Sequence, residues 1–202
     1  MQVMPKNFDI SKFNFGNTGE LSKNGGKMIY VNYDKDNFVV QTPELRMPFD
    51  VSAYRDGKNV KYTMTCSLDN YEKDDKMISL FKMFGELDKH ILNHMFNNSK
   101  ELLKKSKISK ETLNELYTPI LKISKDPETG EPNGKYAPNI KVKINVKDEK
   151  IQCKIFNKNK ERIEESDPEK FLLKDTKCKM LLQCSGVWII NGKFGCSWKA
   201  IQ

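Results

Sequence analysis

The chain has 202 residues and a formal net charge of +8, from 35 lysines and arginines against 27 aspartates and glutamates. That length supports one domain with long excursions, and no apolar run approaches the length of a membrane span. Five cysteines at irregular spacing, with no hydrophobic N-terminal segment, argue for free thiols in a reducing compartment and against a secreted disulfide framework. The positive charge is nearly all lysine, since only Arg46, Arg55 and Arg162 appear, and it favours an anionic partner such as nucleic acid.

Residues 1–26 are polar, with FGNTGELSKNGGK rich in Gly and Asn, and are expected to form a flexible arm ahead of one domain over 27–202. MIYVNYDKDNFVVQTPELRMPF predicts two short strands about a polar turn, stopped by Pro43 and Pro48. A second hairpin is predicted at Asp56-Gly57. Its return strand, VKYTMTCSL, directs Tyr62, Met64, Cys66 and Leu68 to one side and Lys61, Thr63, Thr65 and Ser67 to the other. From residue 74 the period changes. Met77, Leu80, Phe81, Phe84, Leu87, Ile91 and Met95 recur every three or four positions, which predicts an amphipathic helix with acidic residues in its first turn. A basic connection, SKELLKKSKISK, leads to a short helix from about Ser109 to Tyr117 that Pro119 ends. SKDPETGEPNGKYAPN is too long for a simple connector and is expected on the surface or against a ligand.

Strand character then returns. IKVKINV points Ile140, Val142, Ile144 and Val146 inward and Lys141 and Lys143 outward. IQCKIF is expected to do the same with Ile151, Cys153 and Ile155 in and Gln152, Lys154 and Phe156 out, across a turn bearing Asp148 and Glu149. After the charged excursion NKNKERIEESDPEKF, the last long strand begins at Lys177. Strands, a helical insertion at about 74–118, then strands again predict a mainly β (α+β) domain compatible with a small Greek-key barrel, with a sandwich as the other arrangement.

Both tryptophans fall in the closing stretch SGVWIINGKFGCSWKAIQ. Asn191-Gly192 predicts a two-residue type I′ turn, which pairs Ile190 with Lys193 and makes all cross-strand partners sum to 383. Ile189, Phe194, Val187, Cys196, Ser185 and Trp198 then share a bulky face suited to the core. Trp188 shares the other with Gly195, Gly186, Ser197, Cys184, Lys199, Leu182 and Ile201. Two roles fit Trp188: a cover over the exposed backbone of Gly195, or a stacking platform for an unpaired base beside Lys199.

No catalytic constellation is evident. His90 and His94 share a helix face but lack the glutamate of H-E-x-x-H and a third ligand, so no metal site is expected. No phosphate-binding loop is present, and no cofactor is expected. Residues 135–160 carry eight lysines against Asp148 and Glu149. Such lysines either protect a sheet from edge-to-edge association or line a groove that follows phosphates, with Phe156 and Trp188 as base platforms.

The order TPELRMPF, LYTPILKISKDPETGEPNGKYAPNIKVKI, IFNKNKERI and LLQCSGVWIINGKFGCSWKAIQ resembles a family of single-stranded DNA-binding proteins of large cytoplasmic DNA viruses, the asfarvirus member included, themselves distantly similar to phage T7-type single-strand binders. The resemblance spans roughly residues 28–202. It implies an OB-like Greek-key barrel with an inserted helical segment, a non-catalytic protein that binds single-stranded DNA, RNA being the other candidate, in viral replication, repair or recombination. It also implies residence in the host cytoplasm, at viral factories, or in the virion, with replication or virion proteins as partners. An assembly protein working through protein contacts is the alternative. Binding residues expected on this basis are Trp188, Lys199, Phe156, Lys141, Lys143 and Lys154. Many replicative single-strand binders close on an acidic tail; this sequence closes on SWKAIQ, so recruitment through such a tail is not expected.

Overall fold

The structure, a computed structural model, describes residues 2–21, 25–57, 59–147, 150–164 and 167–202. The first part of the chain forms β1 (Gln2–Val3), β2 (Phe13–Glu20), β3 (Lys27–Tyr33), β4 (Asp36–Asn37), β5 (Val39–Gln41), β6 (Leu45–Arg46), β7 (Ser52–Asp56) and β8 (Asn59–Ser67). Three helices follow, α1 (Asp75–Asn97), α2 (Ser99–Leu102) and α3 (Lys110–Leu116). The remainder forms β9 (Tyr117–Thr118), β10 (Leu121–Lys122), β11 (Asn139–Ile144), β12 (Val146–Lys147), β13 (Lys150–Ile151), β14 (Lys177–Cys178), β15 (Leu181–Ile190) and β16 (Lys193–Ala200).

All of these strands except the small pair β12 and β13 belong to one sheet, and the ladders show it to be curled. β15 pairs antiparallel with β16, β16 parallel with β11, and β11 antiparallel with β8. β8 meets β6 through Arg46↔Ser67. β5 and β6 in turn pair with β15 and β14, from Gln183↔Val39 to Lys177↔Arg46. Between those two ladders the Thr42 N–H donates to the Met180 carbonyl, and the Met180 N–H donates to Thr42 Oγ1. The path therefore returns to its starting strand, as in a partly open Greek-key barrel, and is consistent with an OB-like fold. Its narrowest junction is the single pair at Arg46, whose guanidinium grips Asp69 through two hydrogen bonds and reaches Asp175 at 3.1 Å.

Alternation explains which side faces in. Met64 and Cys66 on β8, Ile140, Val142 and Ile144 on β11, and Phe194, Trp198 and Ala200 on β16 are buried. α1 contributes Leu80, Phe84, Leu87, Ile91 and Met95 to the same core, and the Phe84 ring meets Trp198 edge-on at 5.3 Å. The helix begins where expected. Asp74 caps it by accepting from the Lys76 and Met77 N–H groups, each at 3.0 Å. Met83 is buried beside the expected stripe, while Phe81 is half-buried against Tyr71. Ser109 likewise caps α3, which runs Lys110–Leu116. Among the described residues no helix is long and apolar enough to cross a membrane.

Three expectations need correction. Residues 2–20 are not an arm: β1 pairs with β5, β2 pairs along β3, and Val3 and Phe13 are buried. The Gly- and Asn-rich composition concealed a strand held by backbone pairing and a few aromatic anchors. IQCKIF does not form a strand that pairs beside β11; only Lys150–Ile151 does, in the separate pair with β12, and the turn residues Asp148 and Glu149 lie outside the described residues. The closing hairpin follows the 383 sum from Ile190↔Lys193 to Gly186↔Ser197 and then slips by one, to Cys184↔Trp198. A β-bulge at Ser185–Gly186 causes the slip. It moves Leu182 and Cys184 to the core side, where the Cys184 and Cys196 sulfurs lie 3.3 Å apart.

Candidate nucleic-acid interface

The outer side of the curled sheet follows from the same parity. On β8 it carries Lys61, Thr63, Thr65 and Ser67, on β11 Asn139, Lys141 and Lys143, and on β16 Gly195, Ser197 and Lys199. The ladders align these side chains into rows. Ser52, Thr63, Lys143, Lys199 and Gln183 are successive partners across β7, β8, β11, β16 and β15. Tyr54 pairs with Lys61 beside that row, and the residue is 64% exposed. At the other end of β11, Asn139 lies between Ser67 and Lys122 of β10. Six of the contributing strands, β8, β9, β10, β11, β15 and β16, contain no aspartate or glutamate at all. Those six strands therefore bring positive charge with no carboxylate of their own, and the one acid on this face of β7 is Asp56 at its turn end.

Lys143 is the most constrained of these lysines. Its Nζ donates to Ser197 Oγ at 3.1 Å. Partial burial, and then the positive charge of Lys61, hold its pKa below the ordinary lysine value, an effect that Cys196 partly opposes. An anion arriving between Lys61, Lys143 and Lys199 relieves that repulsion, which makes the spot suited to phosphate.

The expected residues separate into groups. Lys141 and Lys143 are exposed on the outer face of β11, as anticipated, and Lys199 joins them because parallel pairing sets it against Lys143. Trp188 is on the same face but not beside Lys199. It pairs with Gly195, four residues along β16 and roughly 13 Å away at strand rise. The ring is half-buried and lies over that glycine: a Cβ at position 195 would come within 2.8 Å of Trp188 Cζ2 and 2.9 Å of the Thr118 carbonyl oxygen. Lys154 is tied by its N–H to the Ile201 carbonyl, just beyond Lys199. Phe156, 43% exposed, sits farther out in a side hairpin bridged to Arg162, and no strand pairing brings it to the lysine rows.

Tyr54, Lys61 and Lys122 were not foreseen as site residues. A signal existed for the first two, because a tight turn near Asp56-Gly57 sets Tyr54 opposite Lys61. None existed for Lys122, whose two-residue strand is defined only by β11. The histidines do share a helix face, and Phe15 of β2 occupies it, stacking on His94 at 3.7 Å and on His90 at 5.3 Å. Among the described residues no group of three metal-ligating side chains converges.

No protein-family model matches the sequence, and no curated protein matches it. Among solved structures, the single-stranded DNA-binding protein from bacteriophage Enc34 in complex with ssDNA aligns with a TM-score of 0.43 and 11% identity, over 91% of this chain and 90% of its own. A C-terminal truncation of the Enc34 protein aligns at the same score and identity, over 95% and 92%.

Proposed function

We propose that the chain is a non-catalytic single-stranded DNA-binding protein built on an OB-like barrel, with α1–α3 as an insertion, and that the outer face of β8, β11 and β16 is its binding surface. Lys61, Lys122, Lys141, Lys143 and Lys199 neutralise phosphates, Tyr54 stacks on a base at one end, and the half-buried Trp188 ring meets a base over Gly195 at the other. The observation that carries this is the acid-free lysine rows crossing a curved sheet with an exposed aromatic at their margin. Unpaired bases present π faces to such side chains, whereas duplex bases hide theirs in the stack, so the arrangement favours single strands and little sequence preference. Service in the replication, repair or recombination of viral DNA follows the sequence resemblance.

The test is a fluorescence-anisotropy titration of a labelled oligonucleotide, single-stranded and then duplex, at two salt concentrations. Tighter, salt-sensitive binding of the single strand is the expected result. Equal weak binding of both forms would refute the proposal, and preference for an RNA strand of the same sequence would redirect it.

A further inference from the structure

One segment near this face has no part in the proposal above. Residues 123–138 leave β10 and return into β11 as an ordered finger. Lys125 and Pro132 bridge its two sides, and Asp126 Oδ1 accepts from the Glu128 and Thr129 N–H groups at 2.9 and 3.0 Å, forming its tip. The Asn133 side-chain oxygen ties the base together, accepting from Ser124 Oγ at 2.7 Å and from the Lys135 N–H at 3.1 Å. Tyr136 follows directly. Its side chain is 65% exposed, although the backbone that carries it is held on both sides, and Lys135 Nζ stands 5.4 Å over the ring.

The place of this tyrosine gives it meaning. The finger springs from Lys122↔Asn139, where the lysine rows end. Tyr136 is three residues before Asn139, within about 10 Å of it along the chain. Tyr54 sits beside Lys61 at the opposite end of β8, about 20 Å from Ser67, which pairs with Asn139. An exposed, lysine-flanked aromatic thus stands at each end of one basic track. Beyond Tyr136 the finger turns acidic, with Asp126, Glu128 and Glu131 at its tip, so a phosphate backbone is repelled from going farther.

We propose that Tyr136 is a further base-stacking site, beyond Tyr54 and Trp188, that ends the DNA track, with Lys135 holding the adjoining phosphate and the acidic tip acting as a stop. The inference rests on single-strand binding by the lysine face. The experiment measures wild type, Tyr136→Ala and Tyr136→Phe by anisotropy against thymidine oligomers of increasing length. Tyr136→Ala is expected to bind the longer oligomers about 5- to 150-fold more weakly, as loss of one stacked base implies. It should match wild type on oligomers too short to reach the finger, and Tyr136→Phe should bind as wild type does. Wild-type preference for single strands with Tyr136→Ala unchanged at every length would overturn this inference alone. A wild-type protein without that preference would overturn the function it rests on as well.

Discussion

Replacing Lys143 and Lys199 together with glutamine tests the binding face where its geometry is best defined. The two are direct partners across β11 and β16, and Lys143 is further positioned by Ser197. Five lysines occupy the proposed track, Lys61, Lys122, Lys141, Lys143 and Lys199. If each neutralises one phosphate of a single strand, log K falls against log salt with a slope of about −3.5, at roughly −0.7 per contact. Raising salt from about 50 to about 200 mM then weakens wild-type binding by roughly 130-fold. Removing two contacts brings the slope to about −2.1, and the same salt step costs the variant only roughly 18-fold. Anisotropy titrations at several salt concentrations give both slopes, and a urea melt confirms that the fold is retained. An unchanged slope in a folded variant would refute the assignment of these two amines to phosphates, even if affinity fell for another reason.

Three further outcomes are expected. Gly186→Ala should lower stability by about 1–3 kcal/mol, read as the urea midpoint, because at φ +120° its Cβ would lie 2.5 Å from the Ile29 carbonyl oxygen; an unchanged midpoint would show that the bulge is not required. Trp188→Ala should weaken single-strand binding by about 1–3 kcal/mol; a lowered melting temperature with unaltered affinity would make the ring only a cover for Gly195. Asp88 on α1 accepts hydrogen bonds from Tyr117 OH and the Ile120 N–H, yet burial outweighs them and pushes its pKa up to about 6. A carboxyl raised above its unfolded value of 3.8 supports the fold fully below that value, and the support is lost as pH rises through about 6. Asp88→Asn keeps the accepting oxygen and cannot ionise. It should match wild type near pH 4 and exceed it by up to about 3 kcal/mol near pH 8, and a difference independent of pH would contradict the buried-carboxyl account.

Legibility varied with how local the cause was. The α1 stripe with its acidic first turn, the Asn191-Gly192 turn with positive φ at both residues, and the alternation of Lys141 and Lys143 against Ile140 and Val142 all express periodicities of a few residues. They were readable because helix and strand geometry repeat on that scale. The β2 strand was hidden because FNFGNTGE carries little strand propensity and is held by its pairing with β3. IQCKIF failed in the opposite direction. Its alternation was real, but the sheet offered it no partner: β11 already has β8 on one edge and β10 and β16 on the other.

By itself the sequence determined which residues are apolar, where the closing hairpin turns and which faces of β8 and β11 carry lysine, since all of these are consequences of side-chain chemistry at short spacing. Tertiary structure alone decided that Lys143 stands against Lys199, that a bulge at Gly186 sends Cys184 inward, and that Tyr54 and the 123–138 finger lie at opposite ends of β8 and its partner β11. Each depends on contacts between segments distant in the chain. A single-residue slip reverses the face of everything beyond it, and only the packed sheet, through contacts such as Gly186 on Ile29, selects one register over the next.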